Sequence, residues 1–173
     1  MDFEIDKAIE VLSRTPRVVR QLVEGISDEW TRGDSEKDSW NPFDIVGHFI
    51  HGEKTDWIPR ARIILAQGEN LEFVPFDRFA QFEDSKEKSL VELLDLFAKL
   101  RDENLQSLAE MDLTEERLEL KGMHPELGEV TLRQLLSTWV VHDLNHIRQI
   151  VTVMASNYVG NVGPWRDYLS ILQ

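Results

Sequence analysis

The chain contains no cysteine among its 173 residues. Disulfide bonds, thiolate metal ligands and a cysteine nucleophile are therefore excluded, and the absence is typical of proteins from a reducing compartment. No stretch approaches the roughly 18 apolar residues that a membrane-spanning helix needs. The first residues are acidic, whereas a signal peptide begins with a basic and then an apolar segment. We expect a soluble cytoplasmic protein with no membrane partner.

Basic residues are scarce as well. The chain has 19 Lys and Arg against 32 Asp and Glu, which gives a net charge of −13. Because Lys and Arg side chains drive binding to phosphate backbones, this balance predicts no nucleic-acid partner. Glycine-rich phosphate loops, serine-nucleophile elbows and paired-histidine protease motifs are missing too.

The length and composition fit one globular domain spanning residues 1–173. Hydrophobic residues make up 42% of the chain, and no repeat, low-complexity segment or linker is visible. Apolar residues recur with helical spacing, while strand-like alternation is unconvincing. We therefore predict an all-α fold, a bundle of four substantial helices with a short extra C-terminal helix after Gly163 and Pro164. The long helices are predicted at 3–26, 41–67, 89–111 and 131–157.

Start signals support these boundaries, and the segments between the helices are predicted to be connections. Asn41, Ser89 and Thr131 each stand where an N-cap is expected. Thr15 as N-cap followed by proline at the first helical position predicts a restart within the first helix, and Pro59 predicts a kink in the second. The connections are predicted at 27–39, 68–84 and 112–130.

Two histidines in the last helix are the strongest functional signal. His142 and His146 lie four residues apart, so their imidazoles share one side of the helix and reach its apolar stripe. Two imidazoles can hold one divalent cation, but two ligands rarely suffice. A third could come from the second helix, where His48 and His51 compete and spacing alone favours neither.

Other interpretations of these residues stay open. The histidine pair could consist of hydrogen-bonded core residues without a metal. Glu53 or Asp143 could supply a carboxylate and give a site with two histidines and one carboxylate, although Asp143 more plausibly orients a neighbour. His124 lies in a segment rich in Gly and Pro and is interpreted as a solvated loop residue.

Several further side chains are candidates for a site. Asp77 and Arg78 could clamp a substrate, but a local ion pair that fixes the loop is the favoured interpretation. Possible general bases lie on the helix that carries His48. These are Asp44, Glu53 and Asp56. Four tryptophans are assigned to the core, with a pocket lining as the alternative: Trp40, Trp57, Trp139 and Trp165.

Two motifs together resemble a known family. Residues 40–48 read WNPFDIVGH and residues 142–150 read HDLNHIRQI. In this order and at this distance they resemble the DinB-like superfamily, also described as DinB/YfiT-like metalloenzymes. The resemblance implies an up-down-down-up four-helix bundle and a three-histidine site. It assigns the metal ligands to His48, His142 and His146, with zinc or nickel as the cation.

The resemblance also implies a class of activity. Similar proteins include thiol-dependent S-transferases and isomerases that use low-molecular-weight thiols. We therefore expect a metal-dependent transferase or hydrolase acting on a small molecule, by S-transfer to a thiol or by attack of a metal-activated hydroxide. The alternative is a non-enzymatic metal- or ligand-binding protein, or a structural bundle held by its ion. A homodimer formed through aromatic residues near 73–82 is a further prediction.

Overall fold

The computed structural model describes residues 2–33 and 40–173. Within them the helices pack as a four-helix bundle with a small hairpin at one end. The first rod is α1 and α2, the second α4 and α5, the third α7 and the fourth α9. The elements are α1 Ile5–Leu12, α2 Thr15–Val23, α3 Asp28–Thr31, α4 Pro42–Thr55, α5 Trp57–Ala66, α6 Ala80–Ser85, α7 Leu90–Ala109, α8 Glu115–Leu118, β1 Lys121–His124, β2 Gly128–Thr131 and α9 Leu132–Ser156.

The predicted start signals act as N-caps at three helices. The side chains of Asn41, Ser89 and Thr131 accept hydrogen bonds from the third backbone N–H of α4, α7 and α9. In each helix the residue at that third position bonds back to the cap, which completes a capping box. These contacts fix where the two helices that carry the histidines begin.

Of two local predictions in the helices, one was wrong in detail and the other is confirmed. Thr15 is the first residue of α2 rather than its N-cap, and its hydroxyl donates to the Val11 carbonyl at the end of α1. The kink predicted from Pro59 is confirmed, because the second rod breaks at Asp56, which separates α4 from α5. Proline has no N–H to donate and its ring clashes with the preceding turn, so the break falls three residues earlier.

The segments predicted as connections contain short elements. Within 112–130, β1 and β2 form an antiparallel hairpin in which Lys121 pairs with Thr131 and His124 with Gly128. Each strand has only four residues, too few for alternation to stand out in the sequence. The loops at 27–39 and 68–84 contain α3 and the start of α6, and residues 34–39 lie outside the described residues.

Contacts along the rods establish their directions. Phe49 stacks on Phe97, and Glu53 accepts a hydrogen bond from Asn104, so the second and third rods run parallel. Residues later in the first rod contact residues earlier in α7, which makes that pair antiparallel. The contacts are Leu12 with Arg101 and Arg20 with Asp95.

The fourth rod runs against the second. Trp40, just before α4, lies over His146, whereas Trp57 at the start of α5 stacks on Trp139. The order is therefore up-down-down-up, as the resemblance implied. The predicted C-terminal helix is present as 3-10 turns at Gly163–Tyr168 and Ser170–Leu172. Within residues 2–33 and 40–173, no helix is both long and apolar enough to cross a membrane.

Candidate metal centre

Three histidines meet where α4 faces α9. The Nε2 atom of His48 lies 2.9 Å from Nε2 of His142. One ring nitrogen each from His48, His142 and His146 lies within 4.8 Å of the others. The structure therefore brings together the three side chains predicted as ligands, here called the histidine cluster, although 94 residues separate His48 from His142 along the chain.

The outer nitrogens of two of these rings are fixed by glutamines. Gln81 on α6 places its amide oxygen 3.0 Å from Nδ1 of His48, and Gln149 places its own 2.8 Å from Nδ1 of His146. An amide oxygen only accepts, so each Nδ1 carries the hydrogen. The Nε2 atom of each ring is then left with a lone pair directed at the cluster, as a metal ligand requires.

Burial keeps the same two rings neutral. Burial and the neighbouring histidines lower the pKa of His48 to about 3, although its bond to Gln81 opposes the shift. Burial and the nearby His142 ring lower the pKa of His146 to about 4. Both imidazoles are therefore unprotonated near neutral pH, which is the form that binds metal.

His142 cannot satisfy both of its ring nitrogens within the described structure. If its hydrogen lies on Nε2, it bonds to His48, but Nδ1 is then an unprotonated buried nitrogen 3.8 Å from the Asp143 carboxylate. If the hydrogen lies on Nδ1, it points toward that carboxylate, but two lone pairs face each other at 2.9 Å. A cation between the nitrogens removes this conflict, because it accepts both lone pairs.

The spacing also suits a small divalent ion. Metal–nitrogen bonds of about 2.0–2.1 Å in a tetrahedral site set the nitrogens roughly 3.3 Å apart. The observed 2.9 Å pair and the 4.8 Å limit of the cluster bracket that value. Three imidazoles, with no thiolate and no carboxylate in the group, form a donor set that suits several divalent transition metals, zinc and nickel among them. The residues present therefore fit a divalent metal ion.

The histidine cluster borders a cavity of about 540 Å³. This volume lies within the range of small-molecule sites, roughly 300–1,000 Å³. Trp40 and Phe76 cover the His48 ring from two sides, with centroids 4.7 and 5.4 Å away. Beyond the histidine cluster the wall is Trp40, Asp56, Arg60, Pro75, Phe76, Arg78, His124, Pro125 and Glu126.

The tryptophans divide between three environments. Trp57 and Trp139 are buried and stack on each other, so the core assignment is correct for them. Trp40 lines the cavity, as the alternative proposed. Trp165 is 70% exposed, so its core assignment was wrong. It follows a proline in a terminal 3-10 turn in which no residue is buried.

The two remaining histidines lie outside the histidine cluster. His51 is buried against Phe76, with ring centroids 4.7 Å apart. His124 lies on β1 rather than in a loop, lines the cavity, and accepts hydrogen bonds at Nδ1 from the N–H groups of Glu126 and Leu127. Neither belongs to the group of nitrogens that could share one ion.

The two carboxylates considered as ligands belong to a separate ion cluster. Glu53 and Asp143 are fully buried and pair with Arg101 on α7, at 2.7 and 2.6 Å. Burial by itself would raise the pKa of Asp143, but the Arg101 guanidinium outweighs it and holds that pKa below its usual range. Asp143 therefore lies beside the His142 ring, 3.8 Å from its Nδ1, and this position favours the predicted role of orienting a neighbour. These three residues are here called the arginine cluster.

Sequence reasoning missed Arg101, although a signal for it was present. It falls four residues after Phe97 and seven before Leu108, in the middle of the inner apolar stripe of α7. A charged residue at such a position must find buried partners, because an unpaired buried charge is strongly destabilising. Gln81 and Gln149 gave no comparable signal, since polar residues are common near helix ends, as at Gln81, and at partly exposed helix positions, as at Gln149.

Each candidate general base has a different environment. Asp44 accepts the Asn41 N–H as part of the α4 cap, and Glu53 is held in the arginine cluster. Asp56 alone among the three lines the cavity. Burial raises its pKa, and the charge of Arg60, 2.7 Å away, opposes that shift.

The predicted ion pair between Asp77 and Arg78 is absent. Asp77 accepts instead from the N–H groups of Phe79 and Ala80. Such a bond from an aspartate to backbone N–H groups just ahead fixes a turn, and here it precedes α6. Arg78 lines the cavity, and the alternative prediction of a substrate clamp stays a prediction.

The chain matches the model of a known protein family. A family model described as the DinB superfamily matches residues 12–150. The chain belongs to the DinB superfamily. The match includes both segments that form the histidine cluster. These are α4, from its capped start through His48, and α9 through His146.

A solved structure with the same bundle is also similar. It is described as "YfiT from Bacillus subtilis is a probable metal-dependent hydrolase with an unusual four-helix bundle topology". The two chains share 25% sequence identity with a TM-score of 0.71, over 88% of this chain and 86% of that one. No curated protein matches the chain.

Proposed function

We propose that this protein is a metal-dependent enzyme that acts on a small molecule. In this proposal His48, His142 and His146 hold one divalent cation, zinc or nickel. The observation that carries it is the pair of facing Nε2 atoms of His48 and His142, 2.9 Å apart, with Nδ1 of His48 bonded to Gln81 and Nδ1 of His142 left 3.8 Å from the Asp143 carboxylate. Three protein ligands would leave coordination positions of the cation open, and the histidine cluster borders the cavity from which a substrate could reach them.

The proposed chemistry is hydrolysis or transfer to a low-molecular-weight thiol. When bound, a divalent cation lowers the pKa of water or thiol and polarises an acyl or leaving group. The description of the YfiT structure as a probable metal-dependent hydrolase supports the first reaction. The resemblance of the histidine motifs to thiol-dependent transferases supports the second.

Asp56 is the residue we assign to proton transfer. Its carboxylate lines the cavity, and the pKa raised by burial makes it a better proton acceptor than an exposed aspartate. Asp56→Asn should lower kcat about 100-fold or more while metal content stays at the wild-type level. An unchanged kcat in a fully loaded variant would contradict this assignment.

Metal content is the first test of the proposal. The protein should be purified without a polyhistidine tag, reconstituted with zinc or nickel, and compared with His48→Gln, His142→Gln and His146→Gln. Each variant should bind the cation at least about 100-fold more weakly than the wild type, because a ligand is lost. His51→Gln is the matched control, since that ring is equally buried but lies outside the histidine cluster. A wild type that takes up no stoichiometric metal would overturn the proposal.

The alternative role is a structural ion without turnover. It is less well supported, because the histidine cluster opens onto a cavity and the side chain of His142 is 20% exposed. Chelation separates the two roles. A structural ion predicts a large fall in the free energy of unfolding with no binding of small molecules, whereas a catalytic ion predicts lost ligand binding in a protein that stays folded.

The homodimer remains a separate prediction. Of the aromatic residues near 73–82, Phe73 is buried, while Phe79 is 77% exposed and Phe82 38% exposed. Sedimentation at micromolar concentration should show a dimer that Phe79→Ser weakens. A monomer under these conditions would contradict it.

A further inference from the structure

We propose that the cavity beside the histidine cluster takes substrates that carry a carboxylate, and that Arg60 and Arg78 recognise it. The inference rests on the proposed function, because the reacting group of the substrate would lie near the cation while the two arginines bind a carboxylate at its other end.

Arg60 is a buried guanidinium with an unused donor. Only 7% of its surface is exposed, and its Nη2 lies 2.7 Å from Oδ1 of Asp56. The guanidinium carbon lies 5.3 Å from the centre of the Phe73 ring, which helps to hold the side chain against the wall. Its Nε finds no acceptor among the described residues. A buried N–H left unpaired is costly, so an acceptor supplied by a ligand fits this position.

Arg78 adds a second positive charge at the rim. It lines the same cavity, is exposed, and forms no ion pair or hydrogen bond with any described residue. The neighbouring Asp77 accepts from the N–H groups of Phe79 and Ala80 and does not pair with it. The guanidinium of Arg78 can therefore donate to a ligand in the cavity.

The charge balance of the cavity favours an anion once the cation is bound. Two acidic side chains, Asp56 and Glu126, balance Arg60 and Arg78. Imidazole ligands are neutral and cancel none of the metal charge. The loaded cavity therefore carries the excess positive charge of the cation, and a substrate with a carboxylate compensates it.

Two matched thiols test the inference. Mercaptopropionate and mercaptopropionamide both offer sulfur to the cation but differ in the charge of the other end. Titration into the cobalt-loaded protein, followed by thiolate absorption and by calorimetry, gives both affinities. The wild type should bind the acid about tenfold more tightly than the amide, as expected for one charge-assisted contact. Arg78→Met and Arg60→Lys should each remove most of that preference.

Arg62→Met is the control, because Arg62 is exposed on the same helix as Arg60 but lies outside the cavity wall. It should keep the preference of the wild type. Equal affinities of the wild type for acid and amide would overturn the inference. So would a preference that survives in both test variants, since the carboxylate would then bind the metal itself. If the protein binds no metal, the proposed function fails and the inference with it; if the amide binds but the acid gains nothing, the inference alone fails.

Discussion

Two polar clusters lie side by side between α4 and α9, and they satisfy their hydrogen bonds differently. In the arginine cluster, Arg101 donates to Glu53, to Asp143 and to the Leu12 carbonyl, and Asn104 donates to Glu53. In the histidine cluster, the outer nitrogens of His48 and His146 have glutamine acceptors, whereas Nδ1 of His142 has no hydrogen-bond partner in the described part of the chain and its Nε2 faces that of His48. The arginine cluster is satisfied within the protein, and the histidine cluster is not.

This difference assigns separate roles to neighbouring residues. The arginine cluster joins the second, third and fourth rods, and Arg101 also bonds to the Leu12 carbonyl of the first rod. It therefore contributes to the stability of the bundle and to the separation of the two histidine-bearing helices. Two buried rings of the histidine cluster, those of His48 and His146, stay neutral because burial lowers their pKa, and this makes the folded protein less stable in acid. Because Asp143 belongs to one cluster and its neighbour His142 to the other, stability and metal binding should be separable by mutation.

The largest effect is expected from Arg101→Met. It removes the partner of two fully buried carboxylates, so the free energy of unfolding should fall by about 3–5 kcal/mol. Urea denaturation of the metal-free protein measures the loss. Arg20→Met is the control, because Arg20 forms ion pairs on the surface with Glu24 and Asp95 and its removal should change stability by less than about 1 kcal/mol. Similar losses in the two variants would show that the arginine cluster is not the main polar support of the bundle.

The second largest effect is expected from acid, which should destabilise the two clusters over different pH ranges. In the metal-free protein the pKa values of His48 and His146 are about 3 and 4, against about 6.5 when unfolded. The folded state therefore binds fewer protons than the unfolded state between about pH 4 and 6.5, and stability falls as the pH drops through this range. From pH 7 to 5 the loss should be about 4 kcal/mol, about 2 kcal/mol for each histidine.

The arginine cluster should respond only at lower pH. The pKa of Asp143 is held below its usual range, so its stabilisation is present above about pH 4 and is lost as the pH falls further. The double variant His48→Gln with His146→Gln should lose the first step and keep the second. A first step that persists in this variant would have to come from other groups, and the assignment would be wrong.

Local features of the fold could be predicted, because their signals lie within a few residues. The capping boxes at Asn41, Ser89 and Thr131 are encoded by one cap and one partner three positions later. The hairpin at 121–131 was missed because its strands are four residues long. The partners of Arg101 were missed for another reason: they lie 42 and 48 residues away, and only the packing of the rods brings them together.

The candidate site shows the same limit. The spacing of His142 and His146 predicted two members of the histidine cluster, but it could not choose between His48 and His51. Both are buried to the same degree on α4, and the direction of each ring depends on how that helix packs against α9. The resemblance to the family supplied the choice. Helical spacing places residues on a face, whereas convergence of side chains depends on the tertiary structure.

The smallest effect is expected from the two glutamines that bond to the histidine cluster. Gln81 is 1% exposed and reaches His48 from α6, which packs closely on α4 because Gly47 has no side chain; a Cβ there would lie 2.6 Å from Ser85 Oγ. Gln81→Leu leaves Nδ1–H of His48 unpaired, so zinc affinity should fall about 10- to 100-fold in competition with a chelator, with a loss of stability of about 1–2 kcal/mol. Gln149 is only half-buried, and water can replace its amide at His146, so Gln149→Leu should lower affinity by less than about tenfold. The reverse order would mean that exposure to water, and not a fixed tautomer, governs how strongly these histidines bind the ion.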